Sequence, residues 1–112
     1  MENEDENDDI HGNSKESKKK QHLYEIVDTI ENEVIKYGIS GQKITKKGTS
    51  PRATQQVNLW NLIEGFKRFV AFILKKNIEN REKALAEEKN IVREFKEKHD
   101  GDLPDRQKRP NP

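Results

Sequence analysis

Apolar residues return at helical spacing in two parts of this chain. Leu23, Ile26, Val27, Ile30 and Val34 stand at i, i+3, i+4, i+7 and i+11, which is one stripe of a 3.6-residue period. That spacing predicts a helix over residues 21–37. Gly38 stops it, with Ile39 folding back on Val34, the contact that accompanies a glycine C-cap. A basic, glycine-containing connection spans residues 38–50. Ser50-Pro51 then reads as a helix start, since serine is a favoured N-cap and proline a favoured first helical residue. Further on, Leu59, Leu62, Ile63, Phe66, Phe69, Val70, Ile73 and Leu74 share one broad face at 100° per residue, with Trp60 at its edge.

These patterns predict a second helix over residues 51–99. Gly65 interrupts it, at a cost of about 1 kcal/mol relative to alanine. Past Leu74, Ile78, Leu85 and Val92 repeat at seven, a coiled-coil signal that Arg81 and Glu88 break. Glu79–Lys83 and Glu94–Lys98 are i, i+4 pairs in the favourable order and support a solvated helix. The expected fold is all-α: a helical hairpin with a long second helix over residues 21–99. Residues 1–20 are expected to be a disordered acidic tail, because Ile10 is their one aliphatic residue after Met1. Residues 100–112, with three of the four prolines, are expected to be a flexible tail.

Composition turns this architecture towards assembly. Of 112 residues, 29% are hydrophobic and 38% charged, so one small domain is the most the chain can build. The apolar face Leu59–Leu74 exceeds what the first helix can cover, which predicts a homo-oligomer or a protein partner through Leu59, Trp60, Leu62, Ile63, Phe66, Phe69, Val70, Ile73 and Leu74. There is no cysteine, hence no disulfide framework and no thiolate chemistry. The start MENEDENDD is unlike a signal peptide, and the longest apolar run, Phe69–Leu74, is too short to span a membrane. Cytoplasm, nucleus or virion is the expected location.

Charge is segregated. Residues 1–14 hold six acids and no Lys or Arg, whereas residues 36–76 hold nine bases against Glu64, a net +8 within a chain of net +1. The bases are Lys36, Lys43, Lys46, Lys47, Arg52, Lys67, Arg68, Lys75 and Lys76. Cations on loops and helix faces neutralise phosphates without reading sequence, so nucleic-acid backbone is the expected partner. Two other uses of the same residues are a protein adaptor that docks its second helix, and an interfacial amphipathic helix on a membrane surface.

Candidate chemistry is sparse. His11, His22 and His99 have no second histidine three or four residues away, and no metal site is expected. Asp100, Asp102 and Asp105 lack the spacing of a calcium loop. Gly38-Ile39-Ser40-Gly41 resembles the GxxG loop of KH domains, but Lys46, Lys47, Gly48 and Pro51 follow where a helix should start. No phosphate-binding glycine loop and no Ser/His/Asp arrangement is visible. The expectation is a non-enzymatic protein without cofactor.

Two stretches, Tyr37-Gly38-Ile39-Ser40-Gly41 and Leu59-Trp60-Asn61-Leu62-Ile63-Glu64-Gly65-Phe66-Lys67, resemble parts of the major coat proteins of rod-shaped and filamentous archaeal DNA viruses. The resemblance implies helical subunits that assemble as dimers into filaments around DNA, a virion or nucleoprotein role. This chain departs from that pattern in its acidic start, its shorter interval between the two stretches and its charged last third.

Overall fold

A computed structural model describes residues 19–107. Five elements follow in order: β1 (Gln21–Asp28), β2 (Glu33–Ser40), α1 (Pro51–Glu64), β3 (Phe69–Ile78) and α2 (Arg81–Lys98). The strands form one antiparallel sheet in the order β2-β1-β3. The chain is therefore α/β, and the all-α helical hairpin is corrected on three points.

The predicted helix over residues 21–37 is the β1–β2 hairpin. Its apolar residues satisfy two periods at once, and the turn chemistry decides between them. Asp28 Oδ1 accepts from the backbone N–H of Ile30 (3.0 Å) and Glu31 (3.3 Å), and Asn32 takes a left-handed conformation at φ 57°. Both residue types favour turns for these reasons. Once the chain reverses, strand pairing uses both sides of β1. Tyr24 and Ile26 join Ile35, Ala53, Val57 and Phe69 under α1. Leu23 joins Ile39, Ile78 and Ala84 under α2. A β-bulge pairs Ile26 with Lys36 but Val27 with Val34. Ile35 is the extra residue, and the bulge places it in the α1-side core.

The predicted helix over residues 51–99 is three elements. Its start is where Ser50-Pro51 places it: Ser50 Oγ accepts from Ala53 N–H, and Pro51 opens the helix. Its continuity fails at Gly65, a left-handed C-cap at φ 85° rather than an interruption. Asn61 fixes the exit. Its Oδ1 accepts from Arg68 N–H (2.9 Å) and Phe69 N–H (2.8 Å), and its Nδ2 donates to the Phe69 carbonyl (3.1 Å). Phe69 to Leu74 then run as a strand, as aromatic and β-branched residues do on a half-buried sheet. Asn80 caps α2 by accepting from Lys83 N–H at 2.9 Å. Ala84, Val92 and Phe95 are buried against the sheet, while Ile78, first of the predicted heptad, ends β3, so the heptad is split between two elements and forms no coiled coil.

The third correction concerns the C-terminal segment. Leu103 packs against Tyr37, Val92 and Phe95. Arg106 N–H donates to the Ile35 carbonyl (2.8 Å), and Tyr37 N–H donates to Gln107 Oε1 (2.7 Å). The Arg106 guanidinium lies 4.8 Å from the Trp60 ring centroid. Residues 103–107 thus strap the outer edge of β2, and residues 108–112 of the expected flexible tail lie outside the described residues. The expected disorder of residues 1–20 falls almost wholly outside the described residues.

The far end of β1 is held by a charge pair. Arg68 donates from Nε to Asp28 Oδ1 (2.9 Å) and from Nη2 to Asp28 Oδ2 (2.7 Å), and Nη1 reaches Glu64 Oε1 at 3.1 Å. This bidentate geometry lowers the Asp28 carboxyl from 3.8 to about 2, through the Arg68 bonds first. A depressed carboxylate stabilises the fold fully above its unfolded value and loses that contribution as pH falls towards its folded value. Thermal melting should therefore fall between pH 4 and 2, and Asp28→Asn should melt lower at pH 7 with a flatter profile over that window.

Candidate functional site

Tyr24 sits in the middle of β1 and is 1% exposed. Its phenol lies across the neighbouring strand because Gly38, its pairing partner, has no side chain. A Cβ built there would meet Tyr24 Cζ and Oη at 2.4 Å. The hydroxyl donates to Gln56 Oε1 at 3.3 Å. Burial raises the phenol pKa above its ordinary 10. Arg52 opposes this by charge and hydrogen bonding, while the negative charge of Glu88 adds to it. Tyr24 is therefore a neutral phenol between an arginine and a carboxylate.

Glu88 enters from α2. It lies on the stripe of Ala84, Ile91 and Phe95 that faces the sheet, and it is half-buried. Burial raises its pKa above 4.5, and Arg81 and then Lys36 pull it back. Arg81, one residue past the Asn80 cap, has its pKa lowered by burial; Glu88 opposes that and Arg52 adds to it. Electrostatic influence relates Tyr24, Arg52, Arg81, Glu88 and Lys36, contributed by β1, β2, α1 and α2, as one candidate cluster.

Helix starts fix the cluster. Ser50, which caps α1, bonds His22 Nε2 at 2.7 Å, so the first turn carrying Arg52 is tied to β1 two residues before Tyr24. His22 is 2% exposed, and burial lowers its pKa. Neutral, it can accept from the serine hydroxyl.

The cluster is chemically specific. Three cations, one carboxylate, a phenol and an amide suit an anionic, oxygen-rich group that must be both held and attacked. No group of three His, Cys, Asp or Glu suited to a metal gathers among the described residues. Glu88 is the one carboxylate in the cluster, and with phosphate oxygens and water it would complete the minimal ligand set that Mg²⁺ takes. A cavity of about 530 Å³ lies elsewhere, lined by Glu33, Phe95, His99, Asp102, Leu103, Pro104, Asp105 and Gln107. There His99 stacks on Phe95 at 3.7 Å and bonds its carbonyl. That cavity shares no residue with the cluster and carries three carboxylates, which repel an anion.

A family model described as URI fold toxin 2 (Tox-URI2) matches residues 14–100. The chain belongs to the Tox-URI2 family. The match runs through the whole sheet and both helices, so this toxin-domain protein carries its cluster inside the family's extent. The resemblance to viral coat proteins is corrected by it: Tyr37–Gly41 closes a strand rather than a helix, and Leu59–Lys67 spans the end of α1 and its turn. No curated protein and no solved structure matches the chain.

The Tox-URI2 fold disperses the nine predicted basic residues. Lys36 and Arg52 join the cluster. Lys43, Lys46 and Lys47 are exposed on the loop between β2 and α1. Arg68 is spent on Asp28 and Glu64. Lys75 pairs with Glu87 at 2.6 Å, and Lys67 and Lys76 are exposed away from the cluster. The predicted partner face is split as well. Leu59, Trp60, Leu62 and Ile63 lie on α1, Phe66 in the turn, and Phe69, Val70, Ile73 and Leu74 on β3. Phe69 and half-buried Trp60 pack together in the core at 5.8 Å, while Leu62 remains 78% exposed. The sequence pattern singled out neither Tyr24 nor Gln56, and it brought in Arg81 and Glu88 only as breaks in the heptad. The available signal was Glu88, a carboxylate on an otherwise apolar helix stripe.

The fit of Tyr24 over Gly38 can be tested directly. Gly38→Ala should cost about 1–3 kcal/mol in chemical denaturation, the range for overpacking. In a Tyr37→Phe background it should also shift the ultraviolet titration of Tyr24, the remaining tyrosine.

Proposed function

We propose that this toxin domain hydrolyses phosphodiester bonds of nucleic acid. The observation that carries the reading is the grouping of Glu88, Arg52, Arg81 and Lys36 around the buried phenol of Tyr24. The expectation of nucleic-acid contact through the basic middle is retained for Lys36 and Arg52, now as part of a catalytic constellation. The expectation of a non-catalytic chain rested on missing linear motifs and a small core, and a cluster of residues distant in sequence falls outside the first of these grounds.

Each group has a chemical part. Arg52, Arg81 and Lys36 hold the phosphate and stabilise the charge that develops on its oxygens. Water attacks phosphorus, a P–O bond forms, and the bond to the sugar oxygen breaks. Tyr24 takes the proton of the attacking water as a phenolate, and the leaving oxygen is protonated from solvent. Bound Mg²⁺ would supply charge neutralisation at the phosphate, with Glu88 as its protein ligand. Burial is the main opponent of the phenolate, and Arg52 favours it by charge and hydrogen bonding. Gln56 orients the neutral phenol by accepting from its hydroxyl.

Purified protein incubated with plasmid DNA and with RNA, with and without Mg²⁺, checks this. Cleavage should fall by roughly 10²-fold or more in Tyr24→Phe and Glu88→Gln, the scale of a lost acid–base or charge-stabilising group, while affinity for nucleic acid is kept. Activity should also fail as pH drops through the raised Glu88 value, above 4.5. Binding without cleavage by the wild-type protein would return the chain to a non-catalytic role.

A further inference from the structure

The loop between β2 and α1 is built rather than loose. Thr45 N–H donates to the Thr49 carbonyl (3.0 Å) and Gly48 N–H to the Thr45 carbonyl (2.9 Å). Thr49 N–H donates to Thr45 Oγ1 (3.1 Å), and the two threonine hydroxyls bond each other at 2.6 Å. Gly48 supplies the left-handed residue at φ 81°, where a side chain would be strained. Lys46 and Lys47 are the two central residues of this closed turn. Behind the turn runs a groove of about 280 Å³ against the side of α1, lined by Gln42, Thr45, Thr49, Thr54, Gln55 and Asn58, with Pro51 at its head. Every one of those six side chains is an uncharged hydrogen-bonding group. No acid occurs between Lys36 and Glu64.

The same two helical turns serve both places. Arg52 and Gln56 point their charge and amide at Tyr24, while Pro51, Thr54, Gln55 and Asn58 line the groove. Cluster and groove are thus two flanks of one two-turn segment of α1, and a nucleic-acid chain that wraps the start of the helix meets both. A small anion would want its counter-charge inside the groove, and there is none. A polyanion wants cations at intervals outside it, with donors and acceptors between, and Lys43, Lys46 and Lys47 stand there.

We propose that this groove binds the sugar-phosphate backbone flanking the scissile bond, with Lys43, Lys46 and Lys47 neutralising successive phosphates. The proposal rests on the reading of the cluster as a phosphodiesterase. It makes the loop a substrate-length determinant that leaves the chemistry itself untouched.

The test compares wild type with Lys43→Ala/Lys46→Ala/Lys47→Ala on single-stranded DNA and RNA oligonucleotides and on bis(4-nitrophenyl) phosphate, an ester too short to reach the loop. On an oligonucleotide the variant should raise KM about tenfold, keep kcat, and reduce the salt slope of binding by about 2, from roughly 0.7 per lost phosphate contact. Hydrolysis of the small ester should be unchanged. Such a loss on either strand chemistry supports the proposal. An unchanged KM and salt slope on both overturns it. Equal losses on oligonucleotide and small ester also overturn it, because the loop would then act only by holding α1. If the wild-type protein cleaves neither, the catalytic reading fails on its own. Fluorescence anisotropy on the same oligonucleotides then decides the groove: a reduced slope sustains it and equal affinity removes it.

Discussion

Strand β1 is buried on both faces, and the rest of the structure depends on that. Tyr24 and Ile26 lie under α1 and Leu23 under α2, with β2 and β3 on either side. A strand so enclosed must satisfy its backbone through both neighbours, which it does in antiparallel register. Enclosure also places a phenol and an imidazole, Tyr24 and His22, at 2% exposure or less. Buried polar groups need partners, and theirs come from one helix: Gln56 for Tyr24 and Ser50 for His22. The hydrogen bonds that make the core tolerable are therefore the ones that bring α1 and Arg52 to the site.

This coupling explains why core and site share residues. Gly38 is small because Tyr24 crosses it, and Tyr24 crosses it because its hydroxyl must reach the rim of the sheet where Gln56, Arg52 and Glu88 meet. The sheet's two edges are treated differently. The outer edge of β2, beside the site, is strapped by residues 103–107. The outer edge of β3 carries exposed Phe72 and Leu74. The opposite end of β1 is fixed by Asp28 and Arg68. One of the nine basic residues is consumed there, which shows why net charge alone does not say which bases are available to a ligand.

Among the described residues no helix is long and apolar enough to cross a membrane. Leu59, Leu62, Ile63 and Phe66 remain exposed on the outer side of α1 and its exit. The apolar surplus noticed along the sequence is therefore real, but it is smaller than the sequence suggested, since Phe69 and Trp60 are used inside the domain.

By itself the sequence determined the local signals that depend on one or two residues. Ser50-Pro51 starts a helix because a serine cap and a fixed proline φ need no tertiary help. The absence of cysteine and the basic character of residues 36–76 are likewise properties of the chain alone. Tertiary structure decided everything that depends on which period the apolar residues obey. Leu23, Ile26, Val27, Ile30 and Val34 fit a helix, yet Asp28 and Asn32 turn the chain, and a strand buried on both faces has no need of strict alternation. Gly65 and Asn80 could each be an interruption or a cap, and packing of β3 onto β1 made them caps. The cluster of Tyr24, Lys36, Arg52, Arg81 and Glu88 spans 65 positions, from 24 to 88. No linear spacing encodes it, because its members meet only when α1 and α2 begin at the same end of the sheet.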